Sequence, residues 1–509
     1  MSSSAATSLP AVYSSLTKQM STPILLSQSS ALLHWDSMVT MPQTDAHHKA
    51  RGKQQAALAG VIHSQKTDPE IGVLIDQIKT LLDAGESGLS PRELANYRLM
   101  EKQYTETSRI PQDLSEKRAA LESEAYMSWT KARDAKDYGL FRETLGKCFS
   151  TAGEIAGLRQ PGADRYAAML DEFEPGMSPE RIDEIFGTVQ AELQPLIKRV
   201  LEAERQVDAS CLEGEGKFPL AGQKELCDMI VEWCGFEGRQ DVSVHPFTTS
   251  FSSSDVRITS RFTDSEFYQG LAGTVHETGH GLYEAALGKE PEAVNSALSM
   301  GVHESQSLFW ERHVGLSRGF WKRWGGEARS RLEGLEGVAD EDIYRAVNKV
   351  KRSFIRVEAD ELTYPLHVIL RYEIERDIVG GKMDVADLPR VWKERMRELL
   401  GVEVEDDANG CLQDVHWSGL AIGYFPTYCL GAIMAAQLAH YMRLELDVDA
   451  LVEGGESGPI REWLREKVWR HGSGEGSMDE LLERAVGERL NERYYLDYLR
   501  EKYEDIYGL

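Results

Sequence analysis

Cysteine is scarce and scattered, with six in 509 residues: Cys148, Cys211, Cys227, Cys234, Cys411 and Cys429. None forms a C-x-x-C pair, so neither a Cys-ligated structural zinc nor a thioredoxin-type redox motif is legible. So few thiols in so long a chain suit a reducing compartment, where they serve as small buried hydrophobes. Long apolar runs are missing as well. No stretch approaches the ~18–20 residues that cross a bilayer, so no membrane partner is expected. Met1 to Ser30 is Ser-rich, has no acidic residue and carries Lys18 as its single base. Lacking a basic stretch followed by an apolar one, it does not read as a secretory signal. A cytoplasmic protein is expected, with a short organelle-targeting extension as the alternative. Basic surface is the third absence. A net charge of -26 and no Lys/Arg cluster leave nothing to displace counterions from nucleic acid, which is excluded as a partner.

What remains is an ordinary globular composition, 41% hydrophobic and 28% charged, with ample length for a large core. Length alone suggests several domains, yet no linker divides the chain; the longest loop-like stretch, Glu453 to Pro459, is short. One unit over 1–509 is expected, with two lobes closing on a cleft. Helical punctuation dominates it. Ser90-Pro91-Arg92-Glu93 combines a cap, a first-turn Pro and a capping-box Glu. Pro111 to Asp137 reads as one long helix. Ser178-Pro179-Glu180 opens another, with a kink or break expected at Pro195. Asp387-Leu388-Pro389 opens a further helix that Gly401 closes. The fold class is mainly α. Val242 to Phe251 and Asp255 to Phe262 depart from this pattern: they are rich in Val, Thr, Phe and Ile, and Ser252, Ser253 and Ser254 separate them. They form a hairpin candidate, whose edge either pairs with an extended peptide or simply packs on the helices.

Immediately downstream, Thr263-Asp264-Ser265-Glu266 looks like a capping box. The helix it opens carries His276-Glu277-Thr278-Gly279-His280 and stops at Gly288. Histidines at i and i+4 share one face, about one turn apart, and two imidazoles so placed reach one zinc ion. Gly273, Gly279 and Gly281 are poor helix formers, and make sense if another element approaches this helix closely. A catalytic zinc needs a third protein ligand and one open position. Glu304, in His303-Glu304-Ser305-Gln306-Ser307, lies far enough downstream for a turn and an antiparallel return, and is the expected third ligand. His303 points elsewhere, as a packing or supporting residue. A helix-borne Glu matches thermolysin-like peptidases. The H-E-x-x-H-x-x-G-x-x-H class needs a His where this chain has Ala286. Glu277 is the expected general base for a zinc-activated water.

Further motifs follow in order: His245-Pro246-Phe247, Asp255-Val256-Arg257-Ile258-Thr259, His303-Glu304-Ser305-Gln306, Ile355-Arg356-Val357-Glu358-Ala359-Asp360, Gly410-Cys411-Leu412-Gln413-Asp414-Val415-His416-Trp417, and Gly423-Tyr424-Phe425-Pro426-Thr427-Tyr428. With His34-Trp35-Asp36 and Met41-Pro42 near the start and Tyr507-Gly508-Leu509 at the end, they make the chain resemble the carboxypeptidase Taq family of metallocarboxypeptidases. The resemblance covers nearly the whole chain, with the catalytic motifs within 245–428. It implies a mostly helical fold with a deep groove and a small sheet near the site. It also implies a homodimer, zinc or cobalt as the metal, and release of single C-terminal residues with broad specificity from peptides with a free C-terminus.

An exopeptidase of that kind must recognise a carboxylate, and Arg offers it a planar fork. Arg257 and Arg356 are the candidates; structural ion pairs with Asp255 or Asp360 are the alternative. The resemblance places Gln413 and Asp414 in the substrate cleft, with His416 and Tyr424 chosen as donors to the substrate carbonyl or its oxyanion. Tyr428 is an alternative donor or a core aromatic. Glu358 and Asp360 are candidates for supporting a histidine ligand, and Glu311 is either a pocket acid favouring basic residues or a solvated surface group. Two competing functions stay open: an endopeptidase, oligopeptidase or aminopeptidase on the same chemistry, and a non-catalytic helical peptide-binding protein.

Overall fold

The computed structural model describes residues 8–42 and 44–509. The organelle-targeting alternative falls partly on residues 1–7, outside the described residues; from Leu9 the chain enters a 31-residue helix, Leu9–Val39. The helical class is correct, and most of the start and stop signals operate as their chemistry dictates. Ser90 Oγ accepts from the Glu93 N–H while the Glu93 carboxylate accepts from the Ser90 N–H at 2.7 Å, a complete capping box. Leu388–Leu400 ends on Gly401, whose φ of 64° supplies the left-handed cap. Pro195 does not break its helix. Pro179–Leu201 runs through it because Ile182, Ile185, Val189, Leu193, Leu196 and Val200 are buried on both sides of the proline. That burial outweighs the ~3 kcal/mol a mid-helix proline costs.

Among the described residues two hydrophobic cores form. The larger one runs through the body of the molecule, while Leu9, Val12, Leu16, Ile71, Ile75, Ile78 and Met100 build a smaller one among the N-terminal helices. Among the described residues, no helix is long and apolar enough to cross a membrane. The six cysteines are free thiols.

The hairpin exists, shorter than its sequence signal: β2 is Thr248–Ser252 and β3 is Asp255–Ser260, with a register irregularity between Ser250 and Ser252. A strand the sequence did not announce, β1 (Arg239–Val242), joins β3 in parallel, giving the order β1-β3-β2. The period of two along β3 then decides what faces the site. Ser260 Oγ meets Thr274 Oγ1 of the following helix at 2.7 Å, and Val256 and Ile258 share that buried face. Arg257 projects to the opposite face. There its guanidinium lies 4.5 Å from the centre of the Trp35 ring, which the first helix brings across the sheet.

Candidate metal centre

The helix that bears the two histidines spans Tyr268–Ala286. It starts later than the proposed Thr263 cap. Thr263 Oγ1 stays 3.4 Å from Glu266, and Glu266 instead accepts the Gln269 N–H at 3.0 Å, so the acid caps the first turn alone. The third candidate ligand comes from Met300–Leu308, capped by Ser299 Oγ on the Val302 N–H at 3.0 Å. Glycine allows the two helices to close on each other. A Cβ on Gly279 would lie 2.5 Å from Gln306 O and 2.7 Å from Ser307 Cα, so no larger residue fits. From the other side, Gly431 of Pro426–Glu445 gives the Glu304 side chain its room; a Cβ there would sit 2.9 Å from Glu304 Cβ.

This packing brings together the three residues the spacing singled out. Ligand atoms of His276, His280 and Glu304 lie within 4.8 Å of one another. Glu304 Oε2 is 3.7 Å from His276 Nε2 and 3.4 Å from His280 Nε2. Beside them Glu277 is buried, and its Oε2 accepts from Thr248 Oγ1 at 2.7 Å. The same hydroxyl lies 3.0 Å from the Glu277 carbonyl, which ties β2 to the helix. Burial raises the Glu277 carboxyl above the usual range, against the pull of His276 and the Thr248 hydrogen bond. Thr248 was not anticipated; its only signal was its place directly after His245-Pro246-Phe247.

Glu311 corrects the expectation of a pocket or surface acid. After Leu308 the helix continues as a π-helical segment, Phe309–Gly315, a wide turn often found at functional sites. From it Glu311 Oε2 reaches His276 Nδ1 at 2.7 Å. That bond leaves Nε2 facing Glu304. Its position two turns beyond Glu304 was a usable signal, since residues so spaced share a helix face. The residues proposed for this support lie elsewhere: Glu358 is exposed, and Asp360 accepts from the backbone N–H groups of Lys351, Leu362 and Thr363 at 3.0–3.1 Å. His303 stacks on His280 with ring centroids 4.2 Å apart, and its Nε2 meets Glu284 at 3.0 Å.

A second cluster gathers the remaining candidates. Arg356 donates from Nε and Nη2 to Asp414 Oδ1 at 3.0 and 2.9 Å, and Arg371 donates from Nε to Oδ2 at 2.6 Å. Gln413 Oε1 accepts from the Arg356 N–H at 2.8 Å and from Arg371 Nη2 at 2.7 Å. Arg371, fully buried, is the residue the sequence did not single out. Arg356 thus pairs with Asp414 and not with Asp360. Its Nη1 keeps one long contact, 3.4 Å to Tyr364 Oη, and its guanidinium lies 4.6 Å from the Tyr428 ring centre. Burial raises the cost of charging Asp414, but Arg371 and Arg356 outweigh it and hold the carboxyl far below its usual range.

His416 Nε2 lies 2.9 Å from Tyr428 Oη, and the rings of Tyr424 and Tyr428 sit 5.3 Å apart. Burial, reinforced by Arg356, pushes His416 down to about 3, so its imidazole is neutral near pH 7. Burial, with Tyr428 and Glu304 adding to it, raises Tyr424, which therefore keeps its proton. Arg257 stands apart, its Nε and Nη2 both closed on Asp255 at 2.9 Å, between the Trp35 and Phe251 rings.

The donor set fits a divalent cation. Two imidazoles and one carboxylate converge, and Glu277 and Glu311 add two more acids around them. So many acids around a largely buried site call for a positive partner. Burial disfavours a charged His276, yet Glu304 and Glu311 push it up to about 10, so the acids are drawing in a positive charge where a cation would sit. Nitrogen and oxygen donors in this number match zinc with an open position.

Comparison with known proteins agrees with this geometry. Residues 15–503 match the family model described as carboxypeptidase Taq (M32) metallopeptidase. The chain is 37% identical over 490 residues to carboxypeptidase 1 of Bacillus subtilis, covering 95% of this chain and 96% of that one. It is 36% identical over 513 residues to thermostable carboxypeptidase 1 of Thermus thermophilus, covering 98% and 99%. Among solved structures, metallocarboxypeptidase 1 of Trypanosoma cruzi superposes with a TM-score of 0.91 at 38% identity, over 97% of this chain and 99% of that one.

Proposed function

We propose a division of labour for the residues of this chain, which belongs to the carboxypeptidase Taq (M32) family of metallopeptidases and is a carboxypeptidase. His276, His280 and Glu304 would hold the metal, zinc by preference with cobalt as a substitute. When bound, that ion supplies a positive charge that acidifies water and polarises a carbonyl. Glu277 takes the proton of the attacking water on its carboxylate and delivers it to the leaving amine nitrogen. The observation that carries this assignment is the Thr248 hydrogen bond, which fixes one Glu277 oxygen and leaves the other for the proton.

Tyr424, protonated, and neutral His416 donate toward the carbonyl oxygen as it gains charge; His416 does so from Nε2, which the substrate takes over from Tyr428 Oη. The free C-terminal carboxylate meets Arg356 through Nη1, the one arm not engaged by Asp414. Gln413 and Asp414 serve the substrate through Arg356, by fixing its fork. Arg257, with its fork closed by Asp255 and its ring stack on Trp35, we assign to holding the first helix on the sheet. We take residues 1–509 as one catalytic unit acting on peptides with broad C-terminal specificity, as a homodimer in the cytoplasm.

The test is Glu277→Gln. Gln keeps the shape and the Thr248 hydrogen bond but cannot take a proton, so metal content stays at the wild-type level while turnover falls ~10²–10⁴-fold. Turnover like wild type at full metal loading would remove Glu277 from the mechanism.

A further inference from the structure

The segment that presents His416 and Tyr424 is not self-supporting. It leaves a short 3-10 turn, His416–Gly419, passes through Leu420 at φ 56° and Gly423 at φ 92°, and enters the helix that begins at Pro426. A left-handed Leu is strained, and such strain persists only where the surroundings over-determine it. The neighbouring helix Tyr364–Val379 supplies the polar part of those surroundings. Arg371 and Glu375 sit one turn apart on it and share a face. Arg371 grips the entrance to the segment through Gln413 and Asp414.

Glu375 grips the middle and the exit. It is fully buried and, among the described residues, has no cationic partner within hydrogen-bond reach. Its Oε1 accepts from Trp417 Nε1 at 2.7 Å; its Oε2 accepts from the Gly423 N–H at 3.0 Å and from Tyr166 Oη at 2.9 Å. The two oxygens of one carboxylate therefore span the strained turn, with one anchor beside His416 and the other beside Tyr424. Gly423 is pressed from behind as well, since a Cβ there would lie 3.0 Å from Leu170 N.

We propose that Glu375 is a positioning residue for the peptidase reaction, setting His416 and Tyr424 at the metal centre by pinning Trp417 and Gly423 across the Leu420 turn. The proposal rests on the donor role given above to His416 and Tyr424. Replacing the carboxylate by an amide removes one acceptor and turns an N–H group toward an N–H donor. The turn is then released at one end without any change to the metal ligands.

The experiment compares Glu375→Gln in two backgrounds, wild type and His416→Ala/Tyr424→Phe, on a free-acid peptide with zinc restored. In the wild-type background kcat falls tenfold or more, KM stays within twofold and bound metal is unchanged. In the doubly substituted background the further loss is under twofold, because the groups being positioned are gone. Tyr166→Phe, which leaves both ends of the turn pinned, stays within twofold of wild type. If Glu375→Gln does not yield folded protein, Glu375→Asp carries the same comparison, since it keeps the charge but reaches one end only. An equal loss in both backgrounds, or as large a loss from Tyr166→Phe, overturns the proposal, because the effect is then general packing. Wild-type kcat for Glu375→Gln beside an impaired double variant overturns it alone. Wild-type kcat for the double variant itself removes the donor role of His416 and Tyr424, and this proposal with it.

Discussion

Glu311 offers a sharp quantitative test of how the centre is built. Its carboxylate accepts from or pairs with His276 Nδ1 at 2.7 Å, and it comes from a π-helical turn two turns past Glu304. Two effects follow: the ring is held with Nε2 toward the site, and the imidazole becomes a stronger donor to a cation. Losing such a partner costs ~10–100-fold in metal affinity, or roughly 1.4–2.7 kcal/mol. The Glu311 side chain is 23% exposed, so water can replace part of what is lost. Glu311→Gln, which keeps an acceptor oxygen but not the charge, should weaken zinc about tenfold, and Glu311→Ala should fall nearer a hundredfold. The assay is competition with a calibrated chelator, read as zinc retained on the protein. At saturating zinc both variants should regain most of their turnover, because Glu277 and its Thr248 bond are untouched. Zinc retention equal to wild type in Glu311→Ala would refute the argument, since a free Nδ1 would then suffice.

Asp414→Asn leaves Arg356 and Arg371, whose side chains are 6% and 0% exposed, without the buried anion between them. Breaking such a pair costs roughly 3–5 kcal/mol, read as a lower thermal midpoint; a change of less than ~1 kcal/mol would mean the cluster is hydrated or redundant. Burial pushes Glu174 up to about 8, against the Ser299 and Gly301 donors. The folded state then holds a proton that the unfolded state has released, so stability should fall as pH rises from about 5 to about 8. Glu174→Gln, neutral throughout, should flatten that fall in denaturant midpoints measured at both ends; an unchanged slope would assign it to other groups.

How much of this was legible in sequence depends on the range of the interaction that decides each feature. Capping at Ser90 and Gly401, the i,i+4 histidines and the class of fold are local, and periodicity states them directly. The hairpin was visible because β2 and β3 are contiguous. β1 was not, because Arg239–Val242 is polar and short and becomes a strand only by pairing with β3. Helix starts slipped where two acceptors competed, as at Thr263 and Glu266. Arginine partners were the hardest to read. Arg257 takes its neighbour Asp255, as its motif allowed, whereas Arg356 passes over nearby Asp360 for Asp414, far along the chain. Asp360 was already committed to three backbone N–H groups, which no spacing reveals. Glu311 was singled out in the sequence but given another role, because the π turn that aims it at His276 has no sequence signature.

The most direct measurement takes one peptide in two forms, free acid and C-terminal amide, through chelated protein and protein with zinc or cobalt restored, with products read by mass spectrometry. The account predicts stepwise loss of single residues from the free acid only, absent after chelation and recovered with metal. Internal cuts, or equal cutting of the amide, would contradict it, leaving the metal chemistry in place but removing Arg356 as the group that reads the C-terminal carboxylate.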